Sequence, residues 1–272
     1  VSTLPVPVTE AGRTALAALA AAPAQALVAC DYDGTLAPIV DDPAAARADA
    51  GVAGALADLG AVLGRVAVVT GRPAAVAVEL GGLADVPGLV VLGHYGLERW
   101  HGGELSAPDP APGVVAARAE LPGLLGGLGA DGARVEDKRA AVAVHTRGAA
   151  APQELLERLR APLGDLAARH GLVVEPGRLV LELRPPGVDK GAALRSLVEA
   201  PPFDGRPSCV VFCGDDLGDL PAFDAVDALR AQGVPGLLVA SGSDEVRALA
   251  ERADLVVDGP PGVLQVLRAL LP

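Results

Sequence analysis

Six short, nearly uninterrupted apolar runs constrain this chain more than any other feature. They are ALVACD (26–31), RVAVVT (65–70), LVVLG (89–93), SCVVFCG (208–214), GLLVA (236–240) and DLVVD (254–258). A run of this length without polar alternation is the mark of a strand buried on both faces, as in a parallel sheet covered by helices. Amphipathic stretches rich in Ala and Leu separate the runs, at 10–22, 44–60, 73–81, 189–199, 219–232, 243–251 and 261–271, and each predicts a helix. Strand and helix in alternation predict an α/β fold built on a doubly wound parallel sheet.

The middle of the chain breaks that rhythm. Pro and Gly cluster at 107–113 and again at 185–187. Between them, AAVAVHTR (140–147), LVVEP (172–176) and RLVLELR (178–184) alternate apolar with polar residues, as in a sheet with one face exposed. Leu155, Leu156, Leu159, Leu163 and Leu166 mark one side of a helix among them. The expectation is a core of residues 1–104 and 185–272, with a small α+β domain, 105–184, inserted into it. Residues 14–30 resemble a secretion segment. Pro23 interrupts their apolar run, however, and Cys30 abuts Asp31 without a spacer, so a helix followed by a buried strand is the better reading. No apolar run reaches the ~18–20 residues that span a bilayer.

Charge and composition narrow the function. The 272 residues carry 22 basic and 34 acidic side chains, a formal charge of −12. A surface so acidic repels phosphate backbones, which argues against a nucleic-acid partner. Cys30, Cys209 and Cys213 form neither a disulfide framework nor a CxxC pattern, so the expected compartment is the cytoplasm. Arg is abundant, whereas Lys occurs only at 138 and 190. The two cations are not interchangeable, so a lysine kept in an arginine-rich chain marks a place where chemistry can require it.

Ligands of doubly wound sheets sit outside the carboxyl ends of the strands. Asp31-Tyr32-Asp33-Gly34-Thr35 follows the first run and sets two carboxylates at i and i+2, which fits either a turn or a nucleophile with its general acid. Thr70-Gly71-Arg72 ends the second run with a hydroxyl that can cap a helix or bind a phosphoryl oxygen. Lys190 opens a helix, where its charge opposes the macrodipole. Asp215, Asp216 and Asp219 follow the run 208–214 and repel one another unless a cation lies among them; an all-oxygen set favours Mg²⁺.

Taken in order, these four segments resemble the haloacid dehalogenase-like phosphatase superfamily. Within it, DYDGTLAPIVDDPAAA (31–46), VVTGRP (68–73), GHYGLERW (93–100), RVEDKRAAVAVHTR (134–147), LELRPPGVDKGAAL (181–194) and VFCGDDLGDLPAF (211–223) are similar to the trehalose-6-phosphate phosphatases. The resemblance implies a fold, a HAD-like core with an α/β-type cap, and a reaction, Mg²⁺-dependent hydrolysis of trehalose 6-phosphate. It implies that Asp31 attacks phosphorus and forms an aspartyl-phosphate. Asp33 then acts as acid and base, and its backbone carbonyl joins Asp31 and Asp215 around the metal. Thr70 and Lys190 hold phosphoryl oxygens, while Asp216 and Asp219 support the metal site. The fourth segment departs from the family's usual GDDxTDE at Gly218 and Leu220, and Tyr95 stands where the family commonly has His.

Alternation along the inserted strands puts Glu136 with Lys138, His145 with Arg147, and Glu182 with Arg184. Val142, Val144 and Leu181 then face the leucine-rich helix. The polar face fits either solvated ion pairs or a sugar-binding lid. By resemblance, Glu136, Lys138 and Glu182 hold the disaccharide, with His145, Arg147 and Arg72 nearby. The expected partner is therefore a small sugar phosphate, with no membrane and a monomeric enzyme. The same chemistry also suits sucrose phosphate, a glycosyl-phosphoglycerate or a cyclitol pseudo-disaccharide phosphate. A sugar phosphomutase and a non-catalytic sensor are more distant readings.

Overall fold

In the computed structural model, residues 6–40, 42–177, 179–203, 205–242 and 247–271 are described. In chain order they form α1 (Glu10–Ala21), β1 (Ala26–Cys30), α2 (Val52–Gly60), β2 (Arg65–Val69), α3 (Ala74–Gly81), β3 (Val90–Gly93), β4 (Glu98–His101) and β5 (Glu104–Ser106). Next come α4 (Pro112–Gly127), β6 (Arg134–Asp137), β7 (Val142–His145), α5 (Pro152–Arg169), β8 (Val173–Gly177) and β9 (Val180–Arg184). The chain closes with α6 (Lys190–Glu199), β10 (Cys209–Gly214), α7 (Leu220–Ala231), β11 (Gly236–Gly242), α8 (Arg247–Ala250), β12 (Leu255–Asp258) and α9 (Gly259–Ala269). Two compact units result: one is Ala107–Val188, and the other comprises the described residues on either side of it.

In the larger unit each apolar run is a strand, and the sheet order is β12-β11-β10-β1-β2-β3-β4-β5. Pairing is parallel from β12 to β3. The chain leaves β1 towards β2 on one side and returns through β10 on the other. The boundary between β1 and β10 is thus the switch point at which such sheets open a crevice. Alternate residues of one strand feed two cores. Val28 and Cys30 of β1 pack with α1, α2, α3 and α9, while Leu27 and Ala29 pack with α6, α7 and α8.

The sheet goes beyond the sequence expectation at one edge. β4 and β5 add an antiparallel hairpin to β3, turning through Gly102 and Gly103, both with positive φ, as two-residue hairpins favour. The helix expected over 44–60 begins only at Val52. Asp42 accepts the Ala44 N–H at 3.0 Å and caps a short 3₁₀ turn, Pro43–Ala45, and Gly51 sits at φ +100°, a left-handed residue before α2. Of the helix expected over 243–251, residues 243–246 lie outside the described residues, as does Arg178 at the start of the strand expected over 178–184.

The smaller unit has an antiparallel sheet, β6-β7-β9-β8. Val142, Val144, Leu181 and Leu183 point to a core shared with Leu155, Leu159, Leu163 and Leu166 of α5. Helix α4, which the sequence reading did not anticipate, adds Val114, Ala117, Leu121 and Leu125 to that core. Pro112, Pro122 and several glycines obscure its apolar stripe in the sequence.

Candidate active site

Three carboxylates converge where β1 and β10 end. Register pairs Cys30 with Cys213, so the next residue of β1 and the acids just past β10 emerge side by side. Asp31, Asp215 and Asp219 are all buried, and each offers an oxygen within 4.8 Å of the others. Lys190, the first residue of α6, enters the same cluster. Its Nζ lies 2.7 Å from Asp31 Oδ1 and 2.8 Å from Asp219 Oδ1. Asp189 caps α6 by accepting the Ala192 N–H at 2.7 Å, which fixes where that lysine starts.

The electrostatics follow from this crowding. Burial pushes the Asp31 carboxyl well up; Lys190 opposes the rise, and Asp219 and Asp215 add to it. Asp215 is pushed to about 7 by burial and by the charges of Asp219 and Asp216. Burial would lower the Lys190 ammonium, but Asp219, Asp31 and Asp216 outweigh it and hold the group well above its ordinary value. One ammonium among three carboxylates leaves excess negative charge in a poorly solvated place.

A hard divalent cation fits this donor set, which is oxygen-only, crowded and underneutralised. The oxygens are not equally available. Asp219 spends Oδ1 on Lys190 and Oδ2 on the backbone N–H groups of Asp215 and Asp216, at 2.9 and 3.2 Å. Asp31 and Asp215 are therefore the carboxylates able to face a metal, and Asp219 holds their surroundings. Thr35 donates its hydroxyl to Asp215 Oδ1 at 3.3 Å, and Ser241 donates to the Gly34 carbonyl at 2.6 Å. Gly34 has φ +74°, and a Cβ there would run into the Asp215 carboxylate, so this turn needs glycine.

The carboxylates of Asp33 and Asp216 stand apart from that cluster. Asp216 Oδ1 accepts the Gly218 N–H at 2.8 Å, and with Asp219 it forms a capping box ahead of α7. Both oxygens of Asp33 are held by Arg72, from Nε at 2.7 Å and Nη2 at 2.6 Å. Arg72 also reaches the Pro43 carbonyl at 2.7 Å and lies over the Tyr32 ring. Thr70, buried after β2, uses its Oγ1 to accept the Arg72 N–H at 3.1 Å.

The remaining predicted residues lie in the smaller unit. Lys138 Nζ is 2.6 Å from Glu182 Oε2, and His145 Nε2 is 2.6 Å from Glu136 Oε2. Register places Glu136 and Glu182 each beside Ala143, so these groups share one face of the sheet. Glu175 sits opposite Glu182 on that face and takes Arg184 at 2.7 Å; the sequence reading had not singled Glu175 out. Arg147 is exposed in the turn after β7, where strand alternation with His145 has ended.

The trehalose-phosphatase family model matches residues 29–256. The chain belongs to that family. A trehalose-phosphate phosphatase of Mycobacterium avium (strain 104) is 41% identical over 246 residues, covering 85% of this chain and 58% of the relative. One from Mycobacterium marinum is 38% identical over 209 residues, covering 72% and 50%. The chain thus spans about half the length of the curated relatives it matches. Among solved structures, the C-terminal domain of Candida albicans trehalose-6-phosphate phosphatase superposes with a TM-score of 0.76 at 23% identity, covering 99% of each chain. At that identity the likeness shows the fold.

Proposed function

We propose that this chain is a magnesium-dependent phosphatase that hydrolyses trehalose 6-phosphate to trehalose and phosphate. The observation that carries the reading is the buried meeting of Asp31, Lys190 and Asp215 at the switch point of the sheet. Membership of the family supplies the substrate.

Asp31 is the nucleophile. A carboxylate oxygen forms a bond to phosphorus while the bond from phosphorus to the sugar 6-oxygen breaks, leaving an aspartyl-phosphate. Asp33 first yields one oxygen from Arg72 and takes up a proton from solvent; it gives that proton to the departing oxygen and then takes one from the water that attacks phosphorus, which frees phosphate and regenerates Asp31. Arg72 holds Asp33 in one orientation between these steps. Lys190 and the Thr70 hydroxyl bind phosphoryl oxygens, since positioning and charge dominate this chemistry. Magnesium, when bound by Asp31, Asp215 and the Asp33 carbonyl, supplies positive charge for those oxygens. Asp219 keeps Lys190 in line, and Asp216 shapes the loop.

We assign Glu136, Lys138, His145, Arg147 and Glu182 to the sugar. Carboxylates and cations on one sheet face, with Arg147 in the turn beyond it, can pair with many hydroxyls, and a hydroxyl left unmatched is costly. Three free, buried cysteines suit a reducing compartment, and we place the enzyme in the cytoplasm, as a monomer.

Phosphate release from trehalose 6-phosphate, compared with sucrose 6-phosphate and glucose 6-phosphate, tests the reading. Preference for trehalose 6-phosphate, abolished in Asp31→Asn, is the expected result. Equal or greater release from another sugar phosphate would keep the chemistry and replace the substrate. Interconversion of isomers without phosphate release would replace the reaction class with a mutase.

A further inference from the structure

The turn after β3 places two residues other than glycine in strained backbone, ahead of Gly96 at φ +98°. His94 and Tyr95 are consecutive residues at φ +47° and +59°, in the left-handed region that ordinary side chains rarely adopt. Such strain persists only where the surroundings impose it. What the turn gains is visible in its backbone. The His94 N–H donates to the Arg72 carbonyl, and the Tyr95 N–H to the Thr70 carbonyl, both at 2.9 Å. The Thr70 N–H in turn donates to the Leu92 carbonyl at 2.9 Å.

Glu98, at the start of β4, completes the set. Its carboxylate is buried, with Oε2 accepting the Ala74 N–H at 2.8 Å and Oε1 3.8 Å from His94 Nε2. Ala74 opens α3, and Pro73 before it has no side-chain acceptor to cap the helix. A carboxylate from another element therefore does that work, 24 residues along the chain. Packing leaves little slack: a Cβ on Gly93 would strike the Ala74 backbone, and one on Gly71 would lie 2.7 Å from the Tyr95 hydroxyl oxygen. The segment held from residue 70 to residue 74 contains Thr70 and the arginine that grips Asp33.

We propose that Glu98 is a positioning residue. Together with the His94–Tyr95 turn it braces residues 70–74, and so sets the Thr70 hydroxyl and the Arg72–Asp33 fork for phosphoryl transfer. The phosphoryl role rests on the function proposed above; the brace itself does not. The competing account makes Glu98 a helix cap that contributes stability alone.

The two accounts part in a set of variants of the full chain, with melting temperature, turnover of trehalose 6-phosphate and calorimetric affinity for orthovanadate with magnesium measured on each. Vanadate reads the phosphoryl site without requiring turnover. Glu98→Ala is expected to lower kcat by about ten- to a hundredfold, the scale on which small misplacements act, and to weaken vanadate about as much. Glu98→Gln keeps an acceptor for Ala74 and should restore most of both. The decisive variant adds Pro73→Ser to Glu98→Ala, giving α3 a local cap. It should regain melting temperature while kcat and vanadate affinity stay low. Recovery of all three would make Glu98 a cap and overturn the proposal, as would full activity in Glu98→Ala. If Glu98→Ala does not fold, Glu98→Asp, too short to reach Ala74 from the same backbone, takes its place. A wild-type chain inactive on trehalose 6-phosphate would defeat the proposed substrate while the vanadate series still judged the brace. Vanadate affinity equal across the series, or no vanadate binding by the wild type, would overturn the brace.

Discussion

Arg72 holds Asp33 by a two-point fork, Nε and Nη2 each meeting one carboxylate oxygen at 2.7 and 2.6 Å. Residues 39 positions apart are thereby joined across the ends of β1 and β2. A planar guanidinium can orient a carboxylate in a way a single ammonium cannot. Arg72→Lys should therefore keep the fold but lower kcat by about ten- to a hundredfold, with a smaller change in KM. Steady-state kinetics on the variant check this; an unchanged kcat would free Asp33 from dependence on the fork.

Lys190 has the opposite kind of environment, buried between Asp31 and Asp219. Removing one partner of a buried ion pair leaves uncompensated charge and costs about 3–5 kcal/mol. Lys190→Met should lose that much in chemical denaturation without metal. Adding Asp219→Asn should return part of the stability while activity stays lost, because the phosphoryl contact proposed for Lys190 is gone in both variants.

Asp215 gives the metal-free chain a pH signature. Its carboxyl is raised to about 7 in the folded state, by burial and by Asp219 and Asp216, against about 3.9 for an unfolded aspartate. The folded state thus binds more protons between those values, and stability falls as pH rises through them. Denaturation in the presence of a chelator should show this fall, and Asp215→Asn should reduce it, the raised carboxyls of Asp31 and Asp219 supplying the remainder. Magnesium should raise the melting temperature of the wild type above pH 7 and do far less for the variant.

On the smaller unit, Glu182 and Lys138 meet at 2.6 Å on the polar sheet face. If that face binds the disaccharide, Glu182→Gln should raise KM for trehalose 6-phosphate by about tenfold or more, the scale of a lost buried hydrogen bond to a charged group. Hydrolysis of p-nitrophenyl phosphate, which has no sugar, should stay near the wild-type rate. Equal losses on both substrates would assign Glu182 to the fold or to the chemistry instead.

What could be read in advance follows from where each signal lies. A polar residue directly after a buried strand stands out, and so the pattern of runs picks out Asp31, Thr70 and Asp215 as candidates. Lys190 was legible as a charge placed against a helix dipole. Contacts across elements left no such mark. The Arg72–Asp33 fork depends on β1 lying beside β2, and the Glu98–Ala74 contact on a hairpin that the sequence reading missed. That hairpin is short and polar, and α4 is interrupted by proline and glycine, so neither showed a clean period. The division of labour among the acids was hidden for the same reason. Only the folded geometry shows Asp219 committed to Lys190 and to two backbone N–H groups.

In the proposed reaction Asp31 carries the phosphoryl group between substrate and water. Acid-quenched single turnovers with magnesium and trehalose 6-phosphate, followed by peptide mapping in the mass spectrometer, test it directly. A phosphoryl group on Asp31 should appear before free phosphate reaches its full yield, and neither product should form in Asp31→Asn. Phosphate released at the wild-type rate by Asp31→Asn, with no phosphorylated Asp31 in the wild type at any time point, would contradict it.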